Sequence, residues 1–120
     1  MGKEERLRRN SQFAEIGEHG KTWACDLVVL KAAPNGLGWN RYGFVAGKRL
    51  GKAVVRNRVK RLLREAARSR PTKSGWDMVF IARNRAATAN YQQVAAAVTR
   101  LLRRAQILAD GSEAKRMGGA

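Results

Sequence analysis

The chain has 120 residues, with 25 Lys and Arg against 9 Asp and Glu, so its formal charge is +16 on 13.3 kDa. That length suits one domain, and 44% hydrophobic residues supply a core, which excludes a disordered polybasic tail. A single Cys excludes a disulfide framework and a multi-Cys zinc site, and no apolar run approaches the ~18 residues needed to cross a bilayer. The start, Met1-Gly2-Lys3-Glu4-Glu5-Arg6, has no apolar segment of signal-peptide type, so a soluble cytoplasmic protein with no membrane association is expected. A charge this large calls for a polyanionic partner, and nucleic acid comes first.

Residues 1–9 are mostly charged and read as a basic tail. Ser11 can cap a short helix carrying Phe13 and Ile16, which His19-Gly20 stops. A short strand fits near Thr22–Cys25. Leu27-Val28-Val29-Leu30 is a β-rich run, Pro34-Asn35-Gly36 a turn, and Tyr42-Gly43-Phe44-Val45-Ala46 a second extended run. The two runs are expected to pair as an antiparallel hairpin. Residues 52–68 form a strong helix pattern, which Pro71 to Gly75 break. Met78-Val79-Phe80-Ile81-Ala82 is apolar on both faces and reads as a buried strand. Asn90 can cap a last helix with Tyr91, Val94, Ala95, Val98, Leu101, Leu102 and Ala105 on one face. Residues 109–120 have no core-sized periodicity and read as a disordered tail. The expected fold is α+β: one domain over 10–108, a two-layer sandwich with a small, mostly antiparallel sheet and helices packed on it.

The helix at 52–68 is the most informative segment. On a helical wheel Val55, Val59, Leu62, Leu63 and Ala66 share an arc of about 100°, the core face. Arg56, Arg58, Lys60, Arg61, Arg64 and Arg68 spread over the opposite arc. Between residues 48 and 70 stand ten cations (Lys48, Arg49, Lys52, Arg56, Arg58, Lys60, Arg61, Arg64, Arg68, Arg70) and one anion, Glu65. Like charges four residues apart each destabilise an isolated helix by a few tenths of a kcal/mol. A bound polyanion removes that penalty, so the one-signed face points to nucleic acid rather than to a merely solvated surface. A membrane-surface helix fits less well, because the apolar face lacks Trp and Phe. Asn57 sits amid the cations and can reach a phosphate, a 2′-hydroxyl or a base edge.

The string Gly43-Phe44-Val45-Ala46-Gly47-Lys48-Arg49-Leu50-Gly51-Lys52-Ala53-Val54-Val55-Arg56-Asn57-Arg58-Val59-Lys60-Arg61-Leu62-Leu63-Arg64-Glu65 resembles the signature of the bacterial ribonuclease P protein family. The Arg-Asn-Arg tripeptide alone is weak, since it recurs at Arg83-Asn84-Arg85; the long string in its strand–helix context is specific. Arg6 to Phe13, Asp77 to Arg83 and Tyr91 to Arg104 resemble further family segments, so the likeness spans residues 6–108.

The resemblance implies an α-β-β-β-α-β-α order with a left-handed βαβ crossover. It implies a protein cofactor of an RNA enzyme. A large catalytic RNA with bound magnesium removes the 5′ leader of precursor tRNA, and the protein binds that RNA and the leader without an obligatory protein partner. Carried over by motif, Arg56, Asn57, Arg58, Lys60, Arg61, Arg64 and Arg68 would contact RNA, flanked by Lys48, Arg49 and Lys52. Phe13 would line the leader groove between the sheet and the first helix. A second groove aromatic of the family is Gly17 here, and a strand aromatic is replaced by Lys31. Stacking contributes about 1–3 kcal/mol per base, so leader binding here is expected to lean on charge. A general basic ribosomal or RNA-binding protein is the alternative.

A protein-only nuclease would need clustered carboxylates or imidazoles. Glu4, Glu5, Glu15, Glu18, Asp26, Glu65, Asp77, Asp110 and Glu113 show no metal-ligand spacing near the basic surface, and His19 is the sole imidazole. Cys25 reads as a small core residue, and Trp23, Trp39 and Trp76 as packing residues.

Overall fold

The computed structural model describes residues 4–6 and 20–109. Five strands form one sheet: Glu4–Arg6 (β1), Lys21–Ala24 (β2), Val28–Pro34 (β3), Asn40–Val45 (β4) and Trp76–Ala82 (β5), in the spatial order β1-β4-β5-β3-β2. Two helices, Ala53–Arg68 (α1) and Tyr91–Arg104 (α2), pack side by side on one face. Short 3-10 helices at Lys48–Leu50 and Asn84–Thr88 precede them. The α+β class and the two-layer arrangement agree with the sequence. The expected helix at Ser11, Phe13 and Ile16, and the C-terminal stretch from residue 110, lie outside the described residues.

Period-two alternation decides which side chains face the helices. Val28, Leu30 and Ala32 on β3, Tyr42 and Phe44 on β4, and Met78, Phe80 and Ala82 on β5 point into the helix-covered layer. They meet Val59, Leu63, Ala66 and Ala67 of α1, and Val94, Val98, Leu101 and Leu102 of α2. Trp23 and Trp76 are half-buried against this core, as is Cys25, whose thiol lies 3.5 Å from the Val28 carbonyl oxygen. Asn90 caps α2 through a reciprocal pair: its side chain accepts from the Gln93 N–H, and Gln93 accepts from the Asn90 N–H.

Three features differ from the sequence reading. First, β3 and β4 do not form a hairpin. β5 lies between them, antiparallel to β3 and parallel to β4. The reason is a polar network around the expected turn. The Asn35 N–H donates to the Gly75 carbonyl (2.9 Å), and Asn35 Nδ2 donates to Asp77 Oδ1 (2.9 Å). Asn40 Oδ1 accepts from the Trp76 N–H (2.8 Å), while its Nδ2 reaches the Lys73 carbonyl (3.0 Å). Arg41 then forks onto Asp77 with two bonds of 2.7 Å, at directly opposed register positions. The residues that look like a hairpin turn therefore hold the start of β5. Gly75 adopts φ +92°, and a Cβ there would stand 3.1 Å from the Leu37 carbonyl oxygen, so glycine is needed at this crossing.

Second, the sheet is mixed, with two parallel pairings (β1 with β4, β4 with β5) and two antiparallel ones, rather than mostly antiparallel. Third, Glu4–Arg6 forms β1 within the segment expected to be a tail. It adds to the open edge of β4, and strand addition needs only backbone donors and acceptors, so no apolar alternation announces it.

Candidate nucleic-acid interface

α1 begins where the chain leaves β4 through the 3-10 helix. Gly51 joins the two at φ +134°, ψ −156°, a region open to glycine alone. Lys52 is the N-cap residue, with no side-chain cap bond and no acid in the first turn. Lys48, Arg49 and Lys52 are all exposed around this end. Cations at a helix N-terminus oppose the positive end of its dipole, whereas an anion there is stabilised by both.

Along α1 the structure sorts the expected contact residues into two groups. Asn57, Arg61 and Arg68 are exposed, as are Lys48, Arg49 and Lys52 ahead of the helix. Arg56, Arg58, Lys60 and Arg64 are half-buried. Arg58 turns back onto the protein, donating from Nη2 to the Ala87 carbonyl (2.6 Å) and from Nη1 to the Ala89 carbonyl (3.2 Å). Arg64 lies over the Phe44 ring, 5.8 Å from its centroid, and Phe44 stacks on Phe80 and Tyr42. Arg56 Nε is buried and has no hydrogen-bond partner among the described residues. The helix buries Val59, Leu63 and Ala66 as the wheel predicts, and Ala67 besides, while Val55 and Leu62 are only half-buried.

Lys31 is not part of this surface. It alternates with Val28, Leu30 and Ala32 and so points to the sheet face opposite the helices, opposed in register by Thr22 and Val79. It is half-exposed. Phe13, its expected companion in a leader groove, lies outside the described residues. The sequence reading passed over Arg100 and Arg103 of α2, which stand with Arg70 around one depression. The available signal was that residues 91–104 contain no acid.

Among the described residues no three His, Cys, Asp or Glu side chains come together as a metal site. Of the three described carboxylates, Asp77 is held by Arg41 and Asn35, Asp26 faces Arg85 at 3.6 Å, and Glu65 stands in a cation-rich stretch. No described helix is long and apolar enough to cross a membrane.

A one-signed helix surface on a small α+β scaffold, presenting guanidinium forks and an exposed amide, defines a polyanion-docking protein of the RNA-binding class. The family profile described as Ribonuclease P matches residues 1–106. The chain is 44% identical over 108 residues to the ribonuclease P protein component of Dehalococcoides mccartyi, covering 90% of each. It is 46% identical over 106 residues to that of Roseiflexus castenholzii, covering 86% of this chain and 87% of the relative. The solved Staphylococcus aureus RNase P protein superposes with a TM-score of 0.78 at 28% identity, over 87% of this chain and 97% of that one. The chain belongs to the ribonuclease P protein family. It is thus the protein subunit of a tRNA-processing ribonucleoprotein nuclease.

Proposed function

We propose that this chain docks on the catalytic RNA through α1 and the 3-10 helix before it, and steadies precursor tRNA by holding its 5′ leader. The observation that carries this reading is the exposure of Lys48, Arg49, Lys52, Asn57, Arg61 and Arg68 in a stretch, residues 48–70, whose one acid is Glu65. Arg56, Lys60 and Arg64, each half-buried, stand on the same helix. Arg58 contributes indirectly, by fixing α1 to the 84–89 segment. Hydrolysis belongs to the RNA and to magnesium ions held by RNA and substrate; this chain lowers the repulsion between two polyanions. The leader runs along the sheet face that carries Lys31, with Phe13 as its aromatic contact. The complex works in the cytoplasm and needs no second protein.

The test is precursor-tRNA cleavage at low magnesium with the chain alone, a bacterial ribonuclease P RNA alone, and both together. Cleavage only in the mixture, lost when Arg49 and Arg61 become Ala, is expected. Cleavage by the chain alone would make it a nuclease, and RNA binding without stimulation would favour a general RNA-binding protein. Affinity for the RNA is expected to fall with salt at a log–log slope of about 0.7–0.9 per phosphate neutralised.

A further inference from the structure

RNA docked on α1 and the 3-10 helix before it leaves the outer face of α2 free. Ser69, Arg70, Tyr91, Thr99, Arg100 and Arg103 line a depression of about 660 Å3 between the end of α1 and α2, and none of its lining residues is acidic. Ala95 and Ala96 keep its floor low. Tyr91 is 37% exposed at one end. Arg100 and Arg103, three residues apart, share a helix face at the other end. Tyr91 and Arg103 are separated by about 18 Å of helix.

Arginines in a last helical turn complement the helix dipole, and that accounts for Arg103 and Arg104. It does not account for Arg70, which comes from the segment after α1 and adds its charge to theirs. Nor does it account for an aromatic ring set into the same depression at the opposite helix end. Three guanidiniums gathered from two segments repel one another until an anion joins them. An aromatic face beside them suits a base rather than a bare phosphate. A duplex would engage the arginines but offer Tyr91 no unpaired base.

We propose that the outer face of α2, with Arg70, is a second RNA-contact surface that takes a single-stranded segment, one base stacked on Tyr91 and phosphates further along the strand held by Arg70, Arg100 and Arg103. The proposal rests on the reading that α1 docks RNA. The depression takes in Ser69 and Arg70, which directly follow α1, so it lies at the C-terminal end of that helix.

The experiment measures binding of the full chain to a bacterial ribonuclease P RNA and to a short oligouridylate over a salt series. The variants are Tyr91→Leu, Tyr91→Phe, the pair Arg100→Gln with Arg103→Gln, and Arg61→Gln on α1, each checked by thermal melting. Tyr91→Leu is expected to weaken oligouridylate binding about fivefold or more with an unchanged salt slope, and Tyr91→Phe to bind as the parent does. The Arg100/Arg103 pair is expected to weaken binding to both RNAs and to flatten the slope by about 1.4, two single-strand phosphates at about 0.7 each. If both α2 variants bind like the parent while Arg61→Gln loses affinity for the ribonuclease P RNA, the second surface is refuted and the α1 reading stands. If the α2 variants lose affinity and Arg61→Gln does not, the α1 reading fails instead. Loss at Arg100 and Arg103 without loss at Tyr91 overturns the single-strand assignment.

Discussion

Replacing Arg58 by Ala separates a structural arginine from an RNA-contacting one on the same helix. Arg58 donates to two main-chain carbonyls, of Ala87 and Ala89, at 2.6 and 3.2 Å. A hydrogen bond from a charged donor contributes roughly 1.5–3 kcal/mol when well buried. Because the side chain is half-buried and solvent screens the rest, the two together are expected to contribute about 2 kcal/mol. For a domain of this size that lowers the melting temperature by about 8 °C. Arg61, exposed three residues on, is expected to change stability by no more than about 0.5 kcal/mol when made Ala. Thermal unfolding followed by circular dichroism, run beside RNA affinity on the same samples, measures both quantities. Arg58→Ala should melt early, and Arg58→Lys should recover part of the loss, because Lys keeps a donor but not the fork. Arg61→Ala should melt like the parent and bind RNA more weakly. A melting temperature for Arg58→Ala within about 2 °C of the parent, combined with a large loss of RNA affinity, would mean that Arg58 serves the RNA and not the fold.

Three further outcomes are expected. Asp77→Ala deletes a buried carboxylate held by two bonds from Arg41 and one from Asn35, and should destabilise by about 3 kcal/mol in urea titration. Asn90→Ala breaks the reciprocal cap of α2 and should lower stability by about 1 kcal/mol, seen as a modestly earlier thermal transition. Leu63→Ala opens a hole where α1 meets the sheet at a fully buried position, and should cost about 3 kcal/mol in the same urea assay.

Local chemistry was legible in the residues; long-range pairing was not. The apolar stripe of α1 and the Asn90 cap of α2 are written within single helical turns, and Val59, Leu63, Ala66, Val94, Val98, Leu101 and Leu102 are buried as the wheel requires. The strands were also recognisable singly. Their neighbours were not, because β4 chooses β5 over β3 through Asn35, Asn40, Arg41 and Asp77, side chains up to 42 positions apart that read individually as ordinary turn and surface residues. The basic face was legible as charge. Its division was not, because charge pattern alone cannot tell that Arg58 meets carbonyls of the 84–89 segment or that Arg64 lies over Phe44. Lys31 and α1 fell on opposite sheet faces, a separation fixed by strand parity once the register is known.

The strand order has a consequence in time. Among the described residues β5 is the last strand to be made, yet it stands between β3 and β4 and gives both their shared neighbour. On a nascent chain, at roughly 5–20 residues per second, about 2–7 s pass between the appearance of Val45 and that of Ala82. For the last 14 residues of that interval, about 0.7–3 s, the arginine-rich helix Ala53–Arg68 is already made, while the layer that anchors it cannot close. Capture by a passing polyanion and completion of the sheet thus compete during synthesis, and the order in which they finish is set by where one late strand is encoded.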